Sequence, residues 1–232
     1  MNTEFTREKS LENIEILKMP IKSYRKLLDV LESYKFIKRF LDIMLALAGM
    51  IVLSPVFLII ALAIKLESKG PVFFKHTRIG KDGKIIKIYK FRSMVDNAEN
   101  LIKSFTPEQM KEYKENYKLS NDPRVTKVGK FIRKTSLDEL PQLINILKGD
   151  LSIIGPRPVV AEELKRYGSN IEKFLSVTPG LTGFWAANGR SCTSYEQRMQ
   201  MELFYIDNLS LKLDIKVFFK TIEAVIKSEG AI

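Results

Sequence analysis

The sequence predicts an α+β fold that is mostly helical. An N-terminal amphipathic arm covers 1–34, a broken membrane helix covers 35–68, and a body with a small β-hairpin covers 69–232. Three observations predict this. The stretch LDIMLALAGMIVLSPVFLIIALAIKLE, Leu41 to Glu67, is long and apolar enough to enter a membrane, yet holds Ser54-Pro55 at its middle. Two strand-like runs flank an Asp82-Gly83 turn signal. The rest breaks into short helical patterns separated by Pro and Gly turns.

The net charge of +11 over 232 residues, with 28% charged, implies an anionic partner: nucleic acid, lipid headgroups or a phosphorylated substrate. A single cysteine, Cys192, excludes an intrachain disulfide, and a single histidine, His76, argues against a His/Cys zinc site. Both singletons read as structural or surface residues. Chemistry therefore falls to carboxylates and basic groups. Residues 1–40 are rich in Lys and Glu, so no secretory signal peptide is read there.

Along the chain, Ile21, Leu27, Leu28, Leu31 and Tyr34 fall at near-helical spacing and predict an amphipathic helix. From Ile43 to Ile64 there is no charge over roughly 22 residues, about 33 Å of helix, where a span needs about 20. Pro55 lacks an amide hydrogen and breaks the helix; Ser54 can satisfy freed backbone groups. Lys35, Lys38 and Arg39 precede the segment, and Lys65, Lys69, Lys75 and Arg78 follow it. Positive flanks on both sides suit a re-entrant helix, while a kinked span also fits the residues. Pro71–Ile79 and Ile85–Phe91 read as strands. Asp96–Leu119 reads as an exposed helical arm, and Asn121-Asp122-Pro123 as a turn. A helix lies within Phe131–Leu147, a rigid loop at Gly155–Pro158, and short helices at Ala161–Tyr167 and Ile171–Val177. Pro179–Gly189 reads as a Gly-rich loop, and Tyr195–Asn208 and Leu211–Ser228 as helices.

The leading chemical constellation is RKTSLDELPQL, Arg133 to Leu143. Asp138 as N-cap would place Pro141 in the first turn of a helix, which proline tolerates. The bland reading is a helix cap. The functional one is a carboxylate kept ionised by the helix end and Arg133, able to attack phosphorus or, with Glu139, to hold Mg²⁺. In GDLSIIGPRP, Arg157 lies between two prolines, which stiffen the loop. A guanidinium grips phosphate through paired donors, though a solvated surface Arg fits as well. In KIYKFRSM, Lys90 and Arg92 share a face by the two-residue period, and Arg78 on the partner strand could complete a basic patch. A solvated sheet face is the alternative. Arg124, Lys127 and Lys130 add charge. PGLTGFWAANGR, with Phe184, Trp185, Asn188 and Arg190, could wrap a sugar or nucleobase, or pack Trp185 in the core.

The order of these segments, an SP-broken apolar helix, KFRSM, DPRVT, SLDELPQL, NILKGDLSIIGPRP, PGLTG and NGR, resembles the bacterial sugar transferase family over about residues 35–228. These are monotopic polyprenyl-phosphate sugar-1-phosphate transferases, or phosphoglycosyl transferases. The likeness is to their short form, with no multi-span region before the broken helix. The resemblance implies a re-entrant helix broken at Ser54-Pro55 and a catalytic body with interfacial amphipathic helices on the cytoplasmic face of the bacterial inner membrane. It implies transfer of a sugar-1-phosphate from a UDP-sugar to undecaprenyl phosphate, with release of UMP, early in exopolysaccharide, capsule or glycoprotein-glycan synthesis. Asp138 would be the nucleophile, Glu139 a metal or proton handler, and Mg²⁺ the cofactor held by the two. Lys90, Arg92, Arg133, Arg157, Arg190 and Arg78 would bind substrate, among inner-membrane lipids and without nucleic acid. Ala186 departs from the Gln usual after the loop's aromatic residue. Two rivals remain: a glycosyltransferase releasing UDP, and a membrane-bound binder of anions or nucleic acid.

Overall fold

A computed structural model describes residues 21–116, 119, 122–189 and 193–226. Residues 1–20, Arg190 and Cys192 lie outside the described residues. Two compact units cover Met1–Leu41 and Asp42–Ile232. The described residues are mostly helical, with two small two-stranded sheets.

Helix α1 covers Ile21–Val52 and so includes the described end of the expected arm as well as the start of the broken helix. It stops at Leu53, and α2, Ser54–Glu67, starts with Pro55 in its first turn. The pair formed by Glu32–Val52 and Ser54–Glu67 is bent by 61°. The cause is local. Pro55 has no amide hydrogen, so the Ile51 carbonyl loses its usual partner. The Ser54 hydroxyl donates to that carbonyl instead, at 2.8 Å. No single described helix is long and apolar enough to cross a membrane, although this bent pair passes on combined length and composition. Its outer surface is apolar and unpartnered: Ile51, Val52, Leu58, Ile59 and Leu62 are all more than half exposed. Its inner face is not. Ile60 and Ile64 are buried against Phe91 and Ile132.

Strands β1, Phe73–Ile79, and β2, Ile85–Phe91, pair antiparallel, with Phe73 opposite Phe91 and Ile79 opposite Ile85. The Asp82-Gly83 signal becomes a turn in which both residues are left-handed, at φ 55° and 75°. The single arm expected over Asp96–Leu119 is instead a 3₁₀ turn, Asn100–Ser104, followed by α3, Pro107–Asn116. A reciprocal pair of bonds between Thr106 and Gln109 starts α3 where it does, with Pro107 just inside.

The helix expected within Phe131–Leu147 is two helices. α4 covers Lys127–Lys134 and is capped by Thr126, which accepts the Gly129 amide at 2.9 Å; α5 covers Gln142–Lys148. Between them Ser136 turns left-handed (φ 57°) and Leu137–Glu139 forms a 3₁₀ turn. Asp138 is thus not the N-cap of α5. Pro141 holds that position, because the left-handed Ser136 spends three residues on a separate turn first.

A second correction concerns Pro179–Gly189, expected as a loop. It is strand β4, Gly180–Thr182, parallel to β3, Ser152–Ile154, and then helix α8, Phe184–Asn188. Its glycines serve close packing. A Cβ on Gly180 would lie 2.1 Å from the Gly155 nitrogen, and one on Gly183 2.1 Å from the Gly155 oxygen. The remaining helices are α6 (Ala161–Leu164), α7 (Ile171–Leu175), α9 (Tyr195–Asp207) and α10 (Leu211–Ile226), with a 3₁₀ segment at Lys165–Asn170. The main core joins Ile86 and Ile88 of β2, Leu143 and Ile146 of α5, the β3 residues Ile153 and Ile154, Tyr205 of α9 and Val217 of α10. Asp42 of α1 is buried beside it and accepts from the Ser152 hydroxyl (3.0 Å) and the Ile153 amide (2.8 Å). That polar tie fixes the entry of the broken helix to β3.

Candidate active site

Two adjacent carboxylates in one turn repel each other, and here Lys90 lies beside both. Its ammonium lies 2.7 Å from Glu139 Oε1 and 3.8 Å from Asp138 Oδ2. The encounter is built by Asn145, which is fully buried on α5. Its side-chain amide accepts the Tyr89 amide at 2.9 Å and donates to the Lys87 carbonyl at 2.8 Å. Asn145 thus pairs with β2 as a neighbouring strand would. It sets the end of β2, with Lys90, against the turn preceding α5, with Asp138 and Glu139.

A cavity opens beside this triad. His76, Arg78 and Lys90 of the hairpin line one side, with Glu139 and Gln142 from the α5 end. Gly155, Arg157 and Pro158 line another, facing Thr182, Trp185, Ala186 and Glu202. The sequence-predicted residues Lys90, Arg78, Arg157 and Glu139 therefore converge on one space. Asp138 is not among the residues that line it; it is buried next to Lys90 and Glu139, which do line it. Burial pushes the Asp138 carboxyl up; Lys90 and Arg133 oppose the rise, and the Glu139 charge adds to it. The expectation that Arg133 and the helix end hold Asp138 comfortably ionised meets this stronger opposing effect.

Arg133 stands behind Asp138, and its Nε donates to the Ser93 hydroxyl at 2.8 Å. Arg92 is not brought into the cavity. Its guanidinium donates to the Lys69 and Ser68 carbonyls, at 2.6 and 2.9 Å, and so closes the C-terminal end of α2. The strand face shared with Lys90 ends at Phe91, so the two-residue period no longer governs where Arg92 points. Arg124 belongs to a separate buried pair with Asp122 at 2.6 Å. Arg190 lies outside the described residues.

Several cavity residues escaped the sequence reading. His76, read as structural or surface, lines the cavity and is held neutral. Burial, with the charges of Arg78, Lys90 and Arg157, lowers its pKa to about 4. Arg78 can only donate, so at 3.4 Å the His76 Nδ1 is the acceptor and the proton sits on Nε2. Arg78 also faces Glu163 at 3.6 Å. Glu202, which lines the cavity, and Arg198, four residues before it on α9, were not singled out within the Tyr195–Asn208 helix. Both are buried. Burial pushes Glu202 up to about 7, against the Arg157 amide and the Arg198 and Arg157 charges. The i, i+4 spacing was the available signal; nothing in it told burial from exposure.

The arrangement has the parts for chemistry on a phosphorylated substrate. It holds a desolvated carboxylate, a second carboxylate beside it, and three cationic side chains converging on the adjoining space. Among the described residues no group of three His, Cys, Asp or Glu side chains could hold a metal. Two carboxylates suffice for an ion that completes its shell with water and substrate phosphate, as Mg²⁺ does.

The chain is similar to known sugar transferases. The family model described as bacterial sugar transferase matches residues 33–228. The undecaprenyl-phosphate galactose phosphotransferase of Salmonella typhimurium is 42% identical over 202 residues, covering 86% of this chain and 42% of that protein. The exopolysaccharide production protein ExoY of Sinorhizobium fredii is 44% identical over 197 residues, covering 84% of this chain and 87% of ExoY. The UDP-glucose:undecaprenyl-phosphate glucose-1-phosphate transferase of Escherichia coli is 43% identical over 197 residues, covering 81% of this chain and 40% of that protein. The chain spans less than half the length of the first and third of these relatives, and most of the second.

Proposed function

The chain belongs to the bacterial sugar transferase family, and from that premise we propose that it moves a sugar-1-phosphate from a UDP-sugar to undecaprenyl phosphate and releases UMP. The observation that carries this reading is the Lys90–Asp138–Glu139 contact at the edge of a cavity lined by Arg78 and Arg157. A carboxylate nucleophile next to phosphate-binding cations is what attack on a diphosphate needs.

In the proposed sequence, an Asp138 Oδ attacks the phosphorus that bears the sugar. The bond from that phosphorus to the bridging oxygen breaks, and UMP leaves with the electron pair. The phosphosugar remains as an acyl phosphate on Asp138. A phosphate oxygen of the lipid acceptor then attacks the same phosphorus, and Asp138 leaves as a carboxylate. Lys90 steadies both carboxylates, Arg157 and Arg78 offset phosphate charge, and Arg133 flanks Asp138 from behind. Glu139 handles protons or metal. Asp138 and Glu139 would hold Mg²⁺, which when bound neutralises charge on the diphosphate. The acceptor is a membrane lipid, so the exposed apolar surface around the 61° bend supports a re-entrant helix, with the body on the cytoplasmic face of the inner membrane.

The test is nucleotide release. Purified chain in nanodiscs is given undecaprenyl phosphate, Mg²⁺ and a panel of UDP-sugars, and UMP is separated from UDP. Lipid-dependent UMP is expected, and the productive donor names the sugar. UDP would mean a glycosyltransferase and would remove Asp138 from its role as nucleophile.

A further inference from the structure

Within Pro156-Arg157-Pro158 only Arg157 carries an amide hydrogen, because both neighbours are prolines. The flanks of this tripeptide are tied to strands. The Gly155 amide donates to the Thr182 carbonyl (2.9 Å), the Gly180 amide to the Pro156 carbonyl (2.9 Å), and the Ile79 amide to the Val159 carbonyl (2.8 Å). The single central donor goes elsewhere: the Arg157 amide donates to Glu202 Oε1 at 3.1 Å. Glu202 is 1% exposed, an expensive place for a carboxylate. Its Oε2 meets no hydrogen-bond donor, and neither Nε nor Nη2 of Arg198 meets an acceptor. Helix α9 supplies both residues: Glu202 meets the Arg157 amide, and Arg198 lies against Trp185 of α8. The Arg198 guanidinium lies 4.8 Å from the centre of the Trp185 ring, and the Arg157 guanidinium 5.8 Å from it. The Arg157 guanidinium makes no ion pair with a described residue. It is held at its backbone by Glu202 and at its head by Trp185, and is left available to an anion.

We propose that Glu202 is the positioning residue that sets where the Arg157 guanidinium meets the diphosphate of the donor. This rests on the function proposed above. A side chain that only filled core volume would not need an acceptor aimed at the one amide in the loop.

The test uses the full chain in nanodiscs, with the donor that the wild type accepts. Glu202→Ala removes the acceptor and is expected to raise the donor KM about tenfold or more, the loss of a hydrogen bond to a charged group. The lipid-acceptor KM stays in place. Glu202→Gln keeps a carbonyl acceptor and recovers most of the loss. Trp185 is the single tryptophan of the chain and lies against the Arg157 guanidinium, so its emission reports that contact and shifts in Glu202→Ala. A donor KM within twofold of wild type in folded Glu202→Ala overturns the proposal. So does a Gln variant as impaired as Ala, with the acceptor KM equally raised. If Glu202→Ala does not fold, Glu202→Asp is read the same way, since its shorter side chain draws the acceptor off the Arg157 amide. If the wild type releases no UMP from any donor, the functional reading has failed by itself. Positioning is then read by titrating Trp185 emission with inorganic pyrophosphate: weaker binding in Glu202→Asp sustains it, and equal binding overturns it.

Discussion

Asp138 sits between opposing influences. Burial pushes its carboxyl up, while Lys90 and Arg133 pull it down, and burial wins. A raised pKa makes the carboxylate a stronger nucleophile and narrows the pH range in which it exists. The acid limb of the rate profile should therefore lie above the ordinary carboxylate range near 4. Lys90→Met removes the nearest opposing charge, so that limb should move to higher pH in a pH series of kcat. The sign for stability is the reverse of that for activity. A carboxyl whose folded pKa is raised binds its proton more tightly when folded, so the fold gains stability as pH falls through that value. Above that value the ionised group opposes folding. Asp138→Asn should abolish turnover while leaving the thermal midpoint unchanged or higher; a midpoint lowered by several degrees would show that the Lys90 contact outweighs desolvation.

At the scale of elements, the site depends on how closely α4 lies on the residues after β2. A Cβ on Gly129 would fall 1.9 Å from the Ser93 carbonyl oxygen. Ser93 also accepts from Arg133, one turn along the same helix. Gly129→Ala should push α4 outward, cost about 1–3 kcal/mol in denaturant unfolding, and lower activity through Arg133. Wild-type stability would mean that α4 shifts without strain. Elements of this kind separate what was legible in the sequence from what was not. The hairpin and the break at Ser54-Pro55 could be read because single residues dictate them: a left-handed Asp-Gly turn, and a proline without an amide hydrogen. The carboxylate pair and its basic neighbours could be read as a motif. Strands β3 and β4 could not, since three residues show no period and Gly180 and Gly183 look like loop residues until Gly155 is known to face them. Arg92 was placed with Lys90 by a strand period that ends one residue too early. Glu202 was hidden because an i, i+4 pair looks the same on a solvated face and a buried one.

At the scale of the whole molecule, the proposed re-entrant placement makes the bend at Leu53 the feature that decides on which side of a bilayer the chain leaves. Cysteines placed singly at positions 38 and 69, with Cys192 replaced by Ser, should label from the same side in intact cells. Opposite-side labelling would mean that the pair straightens into a span. In Pro55→Ala the same assay separates the two causes of the bend: unchanged labelling would assign it to the flanking charges. The exit of α2 has a wider consequence. Glu67 accepts the Lys127 and Val128 amides, at 2.7 and 2.9 Å, and so caps α4, while Arg92 closes the last turn of α2. Ile60 and Ile64 bury Phe91 and Ile132. A water-soluble enzyme therefore cannot be made by cutting the chain before Lys69, because the cut would uncap the helix that carries Arg133 and lay its packing open. Solubilisation has to proceed by repainting, with polar residues at outward positions such as Ile51, Leu58, Ile59 and Leu62 and the inward face of the same helix left untouched.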